Sequence, residues 1–181
     1  MNLTKYFACT KCKKKLNFEE NSYFCKKCNA VYPVKHGIPI FLAGQKTDNY
    51  NEFWDSGWKK RFEEGDHSFH KKTGEAYNQI VSNMLDSARK RNAAISFIEP
   101  ISKNHLLLNI GCGMNEASVI TMMGVHNYIG IDYSFSAAKY SHSSIKKLNG
   151  LGVTIQANAE VLPICTNAID VVYSNGVLHH T

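Results

Sequence analysis

Residues 106–113 read Leu-Leu-Leu-Asn-Ile-Gly-Cys-Gly, and this stretch decides the fold. Leu106 to Ile110 is a short, nearly uninterrupted apolar run, the mark of a strand buried on both faces in a parallel sheet. Gly111 and Gly113 follow at once, where a tight turn lets the backbone come close to a ligand. A helix is expected over 116–123, closed by Gly124, and its N-terminus would favour negative charge. Further strands are expected at Tyr128–Asp132, Val153–Ile155 and Ile169–Tyr173, with a helix over about 135–148 between the first two. Strands alternating with helices imply an α/β fold: a doubly wound, mostly parallel, Rossmann-like sheet, incomplete at about four strands. Ligands of such sheets lie beyond the carboxyl ends of the strands. Asp132 stands 21 residues after Gly111, where a carboxylate can accept hydrogen bonds from ribose hydroxyls. The dinucleotide fingerprint would want a third glycine at 116, and the residue there is Glu116.

Upstream, apolar positions 77, 80, 81, 84, 85, 88, 95 and 98 keep helical spacing until Pro100, so a long amphipathic helix is expected to pack on the sheet. Before it, Tyr50, Trp54, Trp58 and Phe62 recur at four-residue steps, with Phe53 beside them. They form one face of a helix, read as a docking face. His67 and His70 lack an obvious third ligand and are read as loop residues.

The first 42 residues differ in chemistry. They hold eight of the chain's 21 basic residues and two of its 15 acidic ones, which accounts for the whole net charge of +6. Four of the six cysteines lie there, as Cys9-x-x-Cys12 and Cys25-x-x-Cys28, separated by twelve residues. Each Cys-x-x-Cys turn sets two thiolates on one side, and two turns joined by a hairpin complete a tetrahedral zinc set. Short strands are expected at 16–18 and 22–24 around a turn at 19–21. So small a unit cannot bury enough apolar surface to fold unaided, and the metal supplies the missing stability. A closed four-cysteine site is structural, not catalytic. Val31-Tyr32-Pro33-Val34 and Ile38-Pro39-Ile40-Phe41-Leu42 read as two more strands around His36-Gly37. The organisation expected is a zinc ribbon over 1–43, a linker with an aromatic helix over 44–74, and the α/β unit over 75–181, the ribbon and the α/β unit having separate cores. Lysines 11, 13, 14, 15, 26 and 27 surround the knuckles. They are read first as a solvated face, with RNA or protein contact as the alternative. The zinc and four thiolates together contribute about −2.

Two resemblances follow from these residues. The knuckles, with Tyr-Pro-Val-x-x-Gly-Ile-Pro-Ile-Phe-Leu over 32–42, resemble the zinc ribbon of the small activator subunit of tRNA and release-factor methyltransferases. That ribbon also occurs fused in front of methyltransferase domains. The segments LLLNIGCG, YIGIDYS, QANAEVLPI and AIDVVYSNGVLHH, in this order, resemble class I S-adenosylmethionine-dependent methyltransferases over roughly 75–181. The resemblance implies that Gly111, Cys112 and Gly113 pass beneath the methionine part of S-adenosyl-L-methionine. Asp132 would hold the ribose, with Tyr133 and Ser134 beside the adenosine. Asn158 and Ala159 would meet the adenine edge, and Asn175 would lie beside the reacting methyl. Asn109 and Asn158 stand where acids are usual, and Asn115 where a third glycine is common. These changes withhold charge from the amino-acid and adenine ends. His179 and His180 are candidate bases by location only, so the catalytic residues stay unassigned; Cys112 and Cys165 read as small buried residues.

Family members continue past the fourth strand, whereas the chain stops at Thr181. The expectation is therefore a fragment, with the fourth strand as an unprotected edge. The function expected is methyl transfer to a small-molecule or macromolecular acceptor. The alternatives are a non-catalytic cofactor-binding and ribbon module serving as a partner or regulatory subunit, or an RNA methyltransferase. With no apolar leader and no membrane-length run, a cytoplasmic protein is expected.

Overall fold

The computed structural model describes residues 2–42, 49–63, 102, 104–113, 127–147, 152–174 and 177–178. Strands β1 (Asn17–Glu19), β2 (Ser22–Phe24), β3 (Val31–Lys35) and β4 (Ile38–Pro39) pair antiparallel in chain order. The β1–β2 hairpin turns through Glu20 and Asn21, both at positive φ (47° and 59°), as a tight two-residue hairpin requires. Tyr23 pairs across the strands with Phe18 on one side and Tyr32 on the other. Tyr23 and Tyr32 are buried, whereas Phe18 is exposed.

Helix α1 (Asn49–Glu63) precedes the second sheet, which is built from β5 (Leu106–Ile110), β6 (Asn127–Asp132), β7 (Gly152–Gln156) and β8 (Val171–Ser174). Helix α2 (Phe135–Lys147) connects β6 to β7. The strands lie in the order β7-β6-β5-β8, and all pairs are parallel. This is the Rossmann-like arrangement expected, with strand ends within two residues of the sequence reading. The order reverses between β5 and β8, and in sheets of this kind ligands bind beyond the carboxyl ends at such a reversal. Among the described residues β8 pairs with β5 alone. The helices expected over 75–98 and 116–123 lie outside the described residues. No described helix is long and apolar enough to cross a membrane.

The two faces of the sheet differ in what covers them. Leu107, Tyr128 and Cys112 cluster with Ile145 of α2. Tyr128 needs room there: a Cβ on Gly130 would stand 2.6 Å from its hydroxyl oxygen, and one on Gly152 3.0 Å from its ring. Both glycines make space for one tyrosine ring. On the opposite face, Leu106, Leu108, Ile110, Ile129, Ile131 and Ile155 belong to one core with Phe7, Tyr23, Tyr32 and Phe41 of the N-terminal sheet.

That continuity overturns the expectation of separate cores. The physical reason is that the ribbon's aromatic face is too large to be covered by its own four short strands. Phe41 meets Phe7 edge-on, with ring centroids 5.4 Å apart, and lies tilted against Tyr32 at 5.0 Å. Its N–H donates to the Gln156 carbonyl at 2.7 Å, and Ile40 bridges parallel to Gln156. The ribbon's last strand thereby runs on beside the end of β7. Phe7 forms a second bridge, antiparallel, with Ile164.

The aromatic stripe of α1 is also corrected in part. Trp54 and Trp58 are half-buried, but Phe53 is 64% exposed, and the most buried described residue of the helix is Asn51. The side chains of Tyr50 and Phe62 lie outside the described residues. The docking face is therefore mixed: Asn51, Trp54, Asp55 and Trp58 share one side of the helix.

A shared core predicts shared unfolding. Phe41→Ala should cost about 3–5 kcal/mol. It should lower the thermal transition followed by zinc release and the one followed by far-ultraviolet dichroism together. Two transitions that separate, only one of them moved, would show independent units.

Candidate cofactor cleft and metal centre

The two Cys-x-x-Cys turns are built alike. In the first, Lys13 N–H donates to the Cys9 carbonyl (2.9 Å), and Cys9 N–H to that of Lys14 (2.9 Å). In the second, Asn29 N–H donates to the Cys25 carbonyl (2.8 Å), and Cys25 N–H to that of Ala30 (2.9 Å). The fourth residue after each leading cysteine is left-handed, Lys13 at φ 59° and Asn29 at 53°. Asn tolerates that conformation readily, whereas Lys pays for it.

The sulfurs of Cys9, Cys12, Cys25 and Cys28 lie within 4.8 Å of one another, with Cys12 and Cys25 at 3.5 Å. Zinc bound tetrahedrally by sulfur at about 2.3 Å requires sulfurs about 3.8 Å apart, so the donor set fits. Burial works against ionising Cys9. The Tyr32 hydroxyl, 3.3 Å from its sulfur, and the N–H groups of Cys12 and Lys11 nonetheless pull the thiol down to about 6. Cys28 is pushed up to about 12, first by Cys12 beside it. Four crowded thiols cannot all ionise without a cation, and a divalent ion meets that need. The six lysines around the knuckles are exposed.

At the carboxyl edge of the parallel sheet, the structure brings together Gly111, Cys112, Gly113, Asp132, Tyr133 and Ser134. Gly111 and Cys112 both donate N–H to the Ile131 carbonyl, at 2.8 and 2.9 Å, which folds the glycine turn back over β6. Asp132 accepts from Gly113 N–H at Oδ2 (2.8 Å) and from Ser134 N–H at Oδ1 (2.9 Å). Burial pushes this carboxyl up to about 6, against the pull of those N–H groups and with a push from nearby Asp55. Its remaining lone pairs are the acceptors that a pair of neighbouring hydroxyls would meet.

The two glycines do different work. Gly111 sits at φ +73°, and a Cβ there would stand 2.1 Å from Val177 Cγ2. It makes room for a protein side chain. Gly113, at φ +43°, has among the described residues nothing nearer its absent Cβ than the Gly111 carbonyl oxygen at 3.9 Å.

Asn109 also differs from expectation. It is fully buried, and its amide donates to the Tyr128 hydroxyl at 3.2 Å, so it serves the α2 side of the sheet and not the cleft. Its Oδ1 has no hydrogen-bond partner among the described residues. Cys112 is fully buried, and burial, with Asp132 next, raises its thiol far above the ordinary range. That suits a packing residue and not a nucleophile.

Asn158 follows β7 as the cap of a short 3₁₀ turn, Ala159–Val161, accepting from Glu160 N–H at 2.8 Å. Ala157 N–H donates to the Asp132 carbonyl at 2.9 Å, tying this segment to the end of β6. The ribbon grips the segment from the other side. Ala8 N–H donates to Pro163, Cys165 N–H to Tyr6, and the Lys13 ammonium to the Leu162 carbonyl at 2.6 Å. Asn175, His67, His70, His179, His180 and Asn115 lie outside the described residues.

Sequence reasoning missed three residues that shape the cleft. Asn51 and Asp55 of α1 and Gln156 of β7 all bond to the loop after β6. Asn51 and Gln156 donate to the Tyr133 carbonyl at 2.7 and 3.0 Å. Asp55 accepts from the Ser134 hydroxyl and Ser136 N–H, both at 2.8 Å. The one available signal was the four-residue spacing of Asn51 and Asp55 on a helix whose aromatic positions drew attention first.

With this geometry in place, comparison with known proteins is informative. Residues 108–181 match the family described as "Methyltransferase domain". That match supports methyl transfer as the chemistry of the α/β unit. A solved structure titled "Crystal structure of MccD protein" is 28% identical over 40% of this chain and 33% of its own, with a TM-score of 0.38. The chain thus spans about a third of that protein's length. No curated protein sequence matches this chain.

The cysteine geometry predicts one zinc per chain, checked by metal analysis of reduced protein. Cys25→Ser should remove the zinc and, through the shared core, destabilise the whole chain. A loss of about 3 kcal/mol corresponds to a melting shift of roughly 6–12 °C at this length.

Proposed function

We propose that this chain is an S-adenosylmethionine-dependent methyltransferase carrying a structural zinc ribbon. The observation that supports it most directly is Asp132. It ends the strand next to the glycine turn, and backbone N–H groups from that turn and from the start of α2 fix both its oxygens. A carboxylate so held stands at the carboxyl end of its strand, where ligands of such sheets bind, and its remaining lone pairs would accept from two adjacent ribose hydroxyls. The left-handed Gly113, whose N–H is bonded to Asp132, suits close approach of the methionine part of the cofactor, and the segment 157–162, tied to β6, suits the adenine edge.

When bound, S-adenosylmethionine supplies an electrophilic methyl group on a sulfonium. What the chain's own residues contribute is position: Asp132 for the ribose, the Gly113 turn for close approach, and the Asn158 turn for the adenine side. Orientation of this kind is the main protein contribution to such a transfer. The acceptor is selected by parts of the cleft beyond these residues. Zinc, in this reading, holds the ribbon and takes no part in the transfer.

The reading predicts binding of S-adenosylmethionine and of its demethylated product by calorimetry on folded, zinc-loaded protein. Asp132→Ala should weaken binding by about tenfold or more, as a charge-assisted pair of bonds is lost. Because Asp132 must be ionised to accept from both hydroxyls, affinity should hold at pH 8 and fall as pH drops through about 6. Absence of heat with either compound at millimolar concentration would overturn the proposal.

A further inference from the structure

Helix α1 lies outside the part of the chain that matches a methyltransferase domain, yet it makes the polar contacts that hold the loop after β6. We propose that Asp55 of α1 is a positioning residue for the cofactor carboxylate Asp132, acting through Ser134. The proposal rests on the reading of Asp132 as the ribose acceptor.

The geometry is a relay of short bonds. Asp55 Oδ1 accepts from the Ser134 hydroxyl and from Ser136 N–H, each at 2.8 Å. Ser134 is fully buried, and its oxygen in turn accepts from Ala137 N–H at 3.1 Å. Its own N–H donates to Asp132 Oδ1 at 2.9 Å. One serine therefore touches both acids, through its hydroxyl on one side and its backbone on the other. One turn earlier on α1, Asn51 fixes the Tyr133 carbonyl at 2.7 Å, so the peptide between Asp132 and Ser134 is held as well.

Asp55 also closes the N-terminal end of α2. It accepts from one backbone donor of that helix end, Ser136 N–H, beside the Ser134 hydroxyl, and an anion is favoured at that pole. A cap of this kind usually comes from the helix's own chain neighbours. Here Ser134 supplies the local cap, and a second helix supplies the charge. Asp55 then does more than close a helix, because its charge stands near Asp132. Among the described residues, the charged group whose field acts on Asp132 is Asp55 from α1; the buried Cys112 thiol of the glycine turn feels Asp132 and stays neutral where that carboxyl titrates. The negative charge of Asp55 helps hold the Asp132 proton, in the same direction as burial.

The substitution pair Asp55→Ala and Asp55→Asn separates position from charge. Asp55→Ala removes the acceptor for both donors and should weaken binding of the demethylated cofactor product about tenfold at pH 8. Asp55→Asn retains an acceptor oxygen and should rescue most of that loss. Since it removes the charge, it should also move the pH at which affinity falls below its wild-type value near 6. A carbon-13 carboxyl titration of Asp132 in cofactor-free protein reads the same shift without any ligand. Asp55→Ala that leaves affinity unchanged would overturn the proposal, as would Asp55→Asn with an unmoved Asp132 midpoint. Wild-type protein that binds no cofactor would instead overturn the cofactor reading. The carboxyl titration then still decides whether Asp55 acts on Asp132.

Discussion

The ring of Phe41 sits where two sheets of different kind meet, and most of the architecture depends on that junction. Four short antiparallel strands cannot bury Phe7, Tyr23, Tyr32 and Phe41 among themselves, and apolar rings left in water are costly. The parallel sheet has the converse problem: a face of leucine and isoleucine needs a cover. Each unit supplies what the other lacks, and the Phe41–Gln156 and Ala8–Pro163 backbone bonds set their register. The four-cysteine cluster and the shared core are thus separate supports for one ribbon. A divalent ion, which the cluster fits, would organise the knuckles, and the sheet covers the aromatic face.

The cleft is made mainly of backbone. Apart from Asp132, its fixed elements are N–H groups and carbonyls of the glycine turn, the loop 132–136 and the segment after β7. Backbone groups hold position well only if something prevents the loops from shifting. Besides Gln156 of β7, much of that restraint comes from outside the sheet: α1 grips one loop with two polar side chains, and the ribbon grips the other through Lys13 and a stretch of paired main chain. Lys13 adopts an unfavourable left-handed conformation while its ammonium reaches the Leu162 carbonyl.

What could be read from the sequence followed from local rules. Leu106–Ile110 announced a doubly buried strand because burial on both faces removes alternation. The cysteines announced a tetrahedral site because ligand spacing reflects turn geometry. Asp132 was legible from its distance past Gly111. Other features were hidden for definite reasons. Asn109 stands where a cofactor residue was expected, but alternation along β5 sends its side chain to Tyr128. Gly111 read as an opening for a ligand, and only the structure shows that it makes room for Val177. Asn51 and Asp55 escaped notice because a polar docking contact leaves no hydrophobic period to detect. The shared core escaped because it pairs residues more than a hundred positions apart.

That last separation bears on how the molecule is made. Phe7 and Cys165 are 158 positions apart in the chain, and the ribbon emerges from the ribosome long before the strands that cover it. At synthesis rates of roughly 5–20 residues per second, its aromatic face waits on the order of ten seconds for Gln156 and Ile164 to appear. Contacts of such long range also close slowly, since the chain between them must first lose its freedom. During that interval the four thiolates are the ribbon's own means of staying ordered. Early capture of zinc would keep Tyr23 and Phe41 in a defined place while the rest of the chain arrives, so metal supply during translation bears on the yield of folded protein.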